Sequence, residues 1–150
     1  MTRRTNKALI RQYIEGVWGQ GDSAIDERLL APDYVDHTPP PGIAADRVGH
    51  RENLRVFRSA FPDAQFTIED LIAAGATVVV RWSMHATQQG SFYGIAPTYK
   101  PCTLTGIDIY RLAGGQIREV WHQQDVLGML RQLGIIAFPQ ANAHQGSDKR

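Results

Sequence analysis

The first half of the chain carries apolar side chains at intervals of three and four residues, the spacing of amphipathic helices. One such stretch predicts a helix that begins near Thr5 or Asn6, and its apolar positions are Leu9, Ile10, Tyr13, Ile14, Val17 and Trp18. Ser23 and Asp26 have the spacing of a capping box and predict a second short helix, which must end before Pro32. A third helix is marked by Leu54, Phe57 and Phe61. The pattern therefore predicts three N-terminal helices.

The second half of the chain changes to β-branched and aromatic residues punctuated by glycine turns, which is typical of strands. Short connections favour antiparallel neighbours among four long strands, over residues 64–74, 77–88, 99–112 and 116–124. Tyr34 and Val35 add a short strand, and Val126–Leu133 adds a short C-terminal helix. Because helices come first and strands later, we expect an α+β fold in which the helices cover one face of a curved antiparallel sheet. We predict one domain over residues 1–138 and a flexible C-terminal tail over residues 139–150.

A hairpin near the C-terminus carries the most informative polar residues of the chain. A three-residue turn over residues 113–115 sets the register of its two strands. In that register Asp108 and His122 share one face of the sheet as diagonal neighbours. His122 lies opposite Gly106, which leaves open space above the sheet. A loop one residue shorter would turn Asp108 and His122 to opposite faces.

Composition narrows the class of protein. The 150 residues suffice for one domain with a buried core, so neither a disulfide nor a metal is needed for stability. A formal net charge of +1 with scattered basic residues argues against a nucleic-acid partner, and no apolar stretch approaches the roughly 20 residues that span a membrane. A single cysteine and an N-terminus without the core of a signal peptide favour a cytoplasmic protein. His50, His144 and Cys102 have no companions at metal-ligand spacing, so we expect no metal site.

Three segments resemble the SnoaL-like polyketide cyclase, or ester cyclase, family, and they are VDHTPPPG, GSFYGIAPT and TGIDIYRLAGGQIREVWHQQDVLGMLRQLG. The resemblance covers about Thr5 to Gly134. It implies the cone-shaped α+β barrel of the nuclear transport factor two-like superfamily, with a deep pocket. It also implies ring closure of a polyketide ester by intramolecular aldol condensation, without a metal or cofactor. The acid/base aspartate of those cyclases aligns with His122 and a pocket histidine aligns with Asp108, so the two residue types are exchanged here.

The resemblance also implies a homodimer. The partner would pack across the outer side of the sheet, where the register places Thr103, Thr105, Ile107, Ile109, Ile117 and Trp121. The bulky apolar residues among them would otherwise form an exposed patch on a monomer.

Each candidate site residue has a catalytic and a structural interpretation. His122 would act as a general base with an ordinary pKa of about 6.5, or would only hydrogen-bond a neighbour. Asp108 would orient the imidazole or pair with Arg118. His37, at the end of a strand, would contact substrate or cap local backbone. Tyr110, Arg118 and His37 are the candidate donors to a developing enolate.

Apolar side chains would form the pocket wall or the core, and the candidates are Trp18, Tyr34, Phe57, Phe61 and Trp82. We therefore predict a cofactor-independent acid/base enzyme that acts on an apolar carbonyl compound, with aldol cyclisation as the reaction. One alternative is double-bond isomerisation through the same enolate, and another is a non-catalytic module that binds an apolar small molecule. A third is epoxide hydrolysis, for which the chain offers Arg118 beside Asp108 but no second acid on that face.

Overall fold

The computed structural model describes residues 5–137 and Pro139. Within these residues the elements in chain order are α1 (Asn6–Tyr13), α2 (Ser23–Leu29), β1 (Leu30–Asp36), α3 (Arg47–Ala60), β2 (Gln65–Ala74), β3 (Thr77–Thr87), β4 (Pro101–Ala113), β5 (Gln116–Gln124) and α4 (Val126–Gln132). A π-helical turn, Ile14–Trp18, continues α1. The predicted α+β class is therefore confirmed. The tail predicted over residues 139–150 lies outside the described residues, apart from Pro139.

Polar side chains cap the helices by accepting hydrogen bonds from the free amides of the first turn. Thr5 caps α1 through its hydroxyl oxygen, as predicted. Asp22, rather than Ser23, caps α2. The predicted capping box is wrong because Asp26 turns inward, where its Oδ1 lies 2.8 Å from Nε2 of His50.

The five strands form one mixed sheet in the order β1-β5-β4-β3-β2. The last four strands are antiparallel neighbours, as predicted, although the connection between β3 and β4, over residues 88–100, is longer than expected. β1 is longer than the predicted strand at Tyr34 and Val35, and it lies parallel to β5, so the sheet is not wholly antiparallel. This parallel pairing sets Asp36, the last residue of β1, beside Val120 of β5.

In the hairpin of β4 and β5, Asp108 and His122 lie on the same face of the sheet, as predicted, but the turn and the register differ from the prediction. Its turn has only two residues, Gly114–Gly115, with φ values of 59° and 77° that suit a type I′ turn. The predicted three-residue turn is therefore wrong, and the shorter loop alone would separate Asp108 from His122. A β-bulge adds Arg118 as one extra residue in β5, and this turns the residues after it, including His122, back to the face of Asp108. Asp108 and His122 are consequently direct cross-strand partners rather than diagonal neighbours.

Buried and exposed residues alternate along β3 and β4, the pattern of a sheet covered on one face. The inner face joins the helices in one core of apolar side chains. The bulge turns Ile117 into this core, where it is fully buried, so its predicted place on the outer face is wrong. Ile107 and Ile109 remain on the outer face, 50% and 40% exposed. No helix within the described residues has both the length and the apolar character needed to cross a membrane.

Candidate functional site

An imidazole lies between two carboxylates where β1, β4 and β5 meet. Nδ1 of His122 lies 3.2 Å from Oδ1 of Asp108, and its Nε2 lies 3.2 Å from Oδ2 of Asp36. The His122 side chain is 17% exposed, and both carboxylates are more deeply buried. The amide of His122 donates to the hydroxyl of Thr38, which ties β5 to the segment after β1. The residues predicted to meet across the hairpin therefore do so, with a second acid opposite.

The carboxylate of Asp108 is held from behind by two donors. Its Oδ2 accepts from Nε1 of Trp82 at 3.1 Å and from the hydroxyl of Tyr110 at 2.9 Å. The indole of Trp82 lies against Gly106, where an added Cβ would be 2.4 Å from its Cζ2. The predicted open space above Gly106 is therefore wrong, because Trp82 fills it. Tyr110 is buried behind Asp108 and does not line the cavity described below.

The facing atoms of Asp108 and His122 are close but not aligned as a hydrogen bond. Asp108 Oδ1 and His122 Nδ1 are both buried, and neither has a hydrogen-bond partner among the described residues. Buried polar atoms are nearly always hydrogen-bonded, so an exception at a cavity wall calls for a functional explanation. The two atoms face each other, 3.2 Å apart, and their residues line the cavity described below.

Two carboxylates keep His122 protonated. Burial alone would lower the pKa of His122, but the close contacts and charges of Asp108 and Asp36 raise it from 6.5 to about 10. The imidazolium is then the favoured form of His122 at pH 7, so the expected pKa near 6.5 is wrong. Burial would raise the pKa of Asp36, whereas His122 and the amide of Thr38 lower it below its ordinary value. At neutral pH the site therefore holds an imidazolium rather than a free imidazole base.

The cluster borders a cavity of about 780 Å³, within the range of roughly 300–1,000 Å³ that is usual for small-molecule sites. Asp108 and His122 line this cavity, whereas Asp36 lies behind His122. Most of the wall is aromatic or aliphatic, and its large side chains include Trp18, Phe57, Phe66, Trp82, Phe92 and Leu104. Asn53 and Tyr93 add polar groups from α3 and from the segment between β3 and β4.

Three of the five predicted wall residues are in place. Trp18, Phe57 and Trp82 line the cavity. Tyr34 and Phe61 do not, because both are buried in the core behind it.

Two other predicted site residues, His37 and Arg118, lie outside the cavity. His37 alternates with Asp36 along the chain and stacks on Trp121 instead, with ring centroids 4.4 Å apart. Arg118 is exposed in the bulge, and its Nη1 donates to Asp33 Oδ2 at 2.9 Å. Arg118 therefore neither pairs with Asp108 nor supplies the arginine on which epoxide hydrolysis would depend.

The sequence does not identify Asp36 as a site residue, because the histidine that follows it, His37, is the more obvious candidate. Strand periodicity could have identified it, because Tyr34 and Asp36 lie on the same face of β1 and both are buried. The contact of Asp36 with His122 arises from the parallel pairing of β1 with β5, which no local sequence pattern predicts.

The mixed sheet and the buried acid–imidazole cluster beside a cavity define a class of small α+β proteins with the nuclear transport factor two-like fold. Residues 8–133 match the family model of the SnoaL-like polyketide cyclases. The chain therefore belongs to the SnoaL-like polyketide cyclase family, as its three sequence segments indicated.

Several solved structures are similar to this chain. IdmH of Streptomyces antibioticus, a proposed polyketide cyclase, has 31% identity and a TM-score of 0.76 over 87% of this chain and 99% of its own. TsrD of Streptomyces laurentii has 27% identity and a TM-score of 0.77, covering 89% and 100%. A proposed polyketide cyclase of Acidithiobacillus ferrooxidans has 29% identity and a TM-score of 0.76, covering 91% and 100%. No curated protein matches the sequence significantly.

Proposed function

We propose that the protein is a cofactor-independent acid/base enzyme that closes a ring in an apolar carbonyl compound by intramolecular aldol condensation. The observation that carries this proposal is the buried ion pair of Asp108 Oδ1 and His122 Nδ1, 3.2 Å apart without an aligned hydrogen bond, whose residues line a largely apolar cavity. Such a wall favours an apolar ligand, while the two polar atoms can orient a reacting carbonyl. Family membership and the proposed activities of IdmH and the Acidithiobacillus protein support a cyclase.

The protonation of His122 leads us to assign the roles of acid and base differently from the sequence analysis, in which His122 was the base and Asp108 oriented it. His122 enters the reaction as an imidazolium, so we assign it the part of acid and assign the part of base to Asp108. An aspartate serves as the base for proton abstraction beside a carbonyl in ketosteroid isomerase. Asp36 would neutralise and orient the imidazolium from the far side, as the acid of an Asp–His pair does.

The reaction then proceeds in two proton-balanced steps. Asp108 Oδ1 accepts the proton from the carbon beside the substrate carbonyl, and the electron pair of that C–H bond forms an enolate. His122 Nδ1 donates a hydrogen bond to the enolate oxygen and stabilises its charge. The enolate carbon attacks a second carbonyl of the same molecule, and the resulting alkoxide takes the proton that Asp108 holds. The product of these steps is the ring-closed β-hydroxy carbonyl compound, with no water lost. Asp108 is again a carboxylate, and His122 has remained an imidazolium throughout.

Hydrogen exchange on a simple ketone tests the first step without knowledge of the natural substrate. We expect the protein to catalyse deuterium uptake beside the carbonyl of 1-tetralone in heavy water, followed by proton NMR. Asp108→Asn and His122→Gln should each reduce the catalysed rate by about 100-fold or more. The matched control is His85→Gln, since His85 is exposed on β3 and lies outside the cavity. Circular dichroism shows whether each variant is folded.

The same experiment separates the alternatives. A non-catalytic binding module would bind 1-tetralone, as measured by calorimetry, and leave its C–H bonds intact. That result with the folded wild-type protein would overturn the proposed enzyme. An isomerase would also exchange the proton, but it would move the double bond of a β,γ-unsaturated ketone into conjugation without closing a ring.

A further inference from the structure

A tight turn at the cavity wall contains a residue that such turns disfavour. Phe92 and Ile95 exchange both backbone hydrogen bonds, at 3.0 and 2.9 Å, so that Tyr93 and Gly94 form the turn. The φ values of these two residues are 44° and 82°. Type I′ turns favour glycine, asparagine or aspartate at such positions, and a tyrosine is strained there. Strained residues persist where the surrounding structure holds them, and they concentrate at ligand sites.

One buried side chain, Gln88, makes five hydrogen bonds to the loop that carries this turn. Its Nε2 donates to the carbonyl oxygens of Gly90, Ile95 and Ala96. Its Oε1 accepts from the amide and the hydroxyl of Thr98. These hydrogen bonds hold Tyr93 at the cavity before a ligand binds, which reduces the entropy cost of a contact between the ligand and Tyr93.

Tyr93 and Asn53 form a polar pair at the cavity wall. The hydroxyl of Tyr93 donates a hydrogen bond to Oδ1 of Asn53, and both residues line the cavity. Among the described residues, Nδ2 of Asn53 has no hydrogen-bond partner. The pair thus offers amide donors from Asn53 and an acceptor lone pair on the Tyr93 hydroxyl oxygen. A ligand hydroxyl, which both donates and accepts, matches this combination.

A series of aromatic contacts connects this pair with the acid/base centre. It begins at Trp82, which donates to Asp108. Successive ring centroids are then 4.9 to 5.8 Å apart along Trp82, Phe66, Phe57, Phe61, Phe92 and Tyr93. The path runs partly through the core, because Phe61 does not line the cavity. It links polar side chains on different elements, since Asn53 and Tyr93 lie on α3 and on the β3–β4 segment, whereas Asp108 and His122 lie on β4 and β5.

We propose that Asn53 and Tyr93 are specificity-determining residues, which select a ligand that carries a hydroxyl group in addition to its reacting carbonyl. The inference rests on the proposed function in one respect, namely that the cavity binds an apolar carbonyl compound. It adds a second anchoring point and a chemical requirement on the ligand.

The test compares matched pairs of fused-ring aryl ketones with two, three and four rings. One member of each pair carries a hydroxyl on the ring farthest from the ketone. Binding is followed by quenching of tryptophan fluorescence, because Trp18 and Trp82 line the cavity. For at least one ring number, we expect the hydroxyl to improve the affinity of the wild-type protein by about three- to tenfold, the effect of one net hydrogen bond.

Tyr93→Phe and Asn53→Leu should abolish this preference while binding the ketone without the hydroxyl within about twofold of wild type. A merely structural role of the pair would weaken both members alike and leave their ratio unchanged. Tyr99→Phe is the matched control, because Tyr99 is a second tyrosine of the same loop with positive φ (56°), is 70% exposed and does not line the cavity. It should retain the full preference.

The outcomes distinguish this inference from the proposed function. If the ketones bind but the hydroxyl has no effect at any ring number, or if the preference survives in Tyr93→Phe and Asn53→Leu, only the specificity role is overturned. If none of the ketones binds to the folded wild-type protein, the specificity role and the proposed function fail together.

Discussion

The charge on His122 predicts an unusual loss of stability on the alkaline side of neutrality. Its pKa lies at about 10 in the folded protein and near 6.5 when the chain is unfolded. Below pH 6.5 both states bind the proton, so the contribution of the ion pairs to stability is fully present. Between these two values only the folded state keeps the proton, and stability therefore falls as the pH rises. Above pH 10 the contribution is lost.

The magnitude follows from the same two values. A rise from 6.5 to about 10 corresponds to about 5 kcal/mol in favour of the imidazolium. The slope is about 1.4 kcal/mol per pH unit across this range. Because the side chain is only 17% exposed, solvent screening reduces this value little. The effect is comparable to the whole stability of many small domains, at about 5–15 kcal/mol.

Urea unfolding at several pH values between 6 and 10 measures this contribution when wild type is compared with His122→Gln. The variant leaves Asp36 and Asp108 without a cationic partner at every pH, so the stability gap should be widest near pH 6.5 and close toward pH 10. His85→Gln makes the same substitution at an exposed position outside the site and should follow wild type throughout. Proton NMR of the histidine rings should show a signal that stays protonated to about pH 10 and is missing in His122→Gln. A midpoint for His122 near 6.5, or a gap that does not change with pH, would refute the reasoning.

Two further predictions concern the sheet. Gly106→Ala places a Cβ 2.4 Å from Trp82 Cζ2, so the indole must move off Asp108, and urea unfolding should show a loss of about 1–3 kcal/mol. Gly106→Ala should cost less stability in a Trp82→Phe protein than in the wild type, because the smaller ring leaves room for the Cβ. Equal losses in the two proteins would contradict the steric explanation. We also propose that the chain forms a homodimer through the outer face of the sheet, where Ile107 is 50% exposed. Sedimentation velocity should show a dimer that Ile107→Lys dissociates and Val48→Lys on α3, at a position 68% exposed, does not; a monomeric wild type at micromolar concentration would contradict the proposal.

The sequence by itself determined the elements whose causes are local. Alternating residues define β3 and β4, because a side chain in a strand faces opposite to its neighbours. The glycines of the turn and the β-branched runs beside it predict the hairpin of Asp108 and His122. The family segments add the expected fold and the exchange of aspartate and histidine.

Only the tertiary structure decided how these elements form a site. The predicted hairpin was wrong by one residue in the turn, and the bulge at Arg118 compensates, so Asp108 still faces His122. Bulges depend on the twist and closure of the whole sheet, which local patterning does not encode. Asp36 reaches His122 only because β1 pairs in parallel with a strand far along the chain. The protonation of His122 depends on two carboxylates brought together in a buried place, and burial and charge are properties of the assembled structure rather than of any segment.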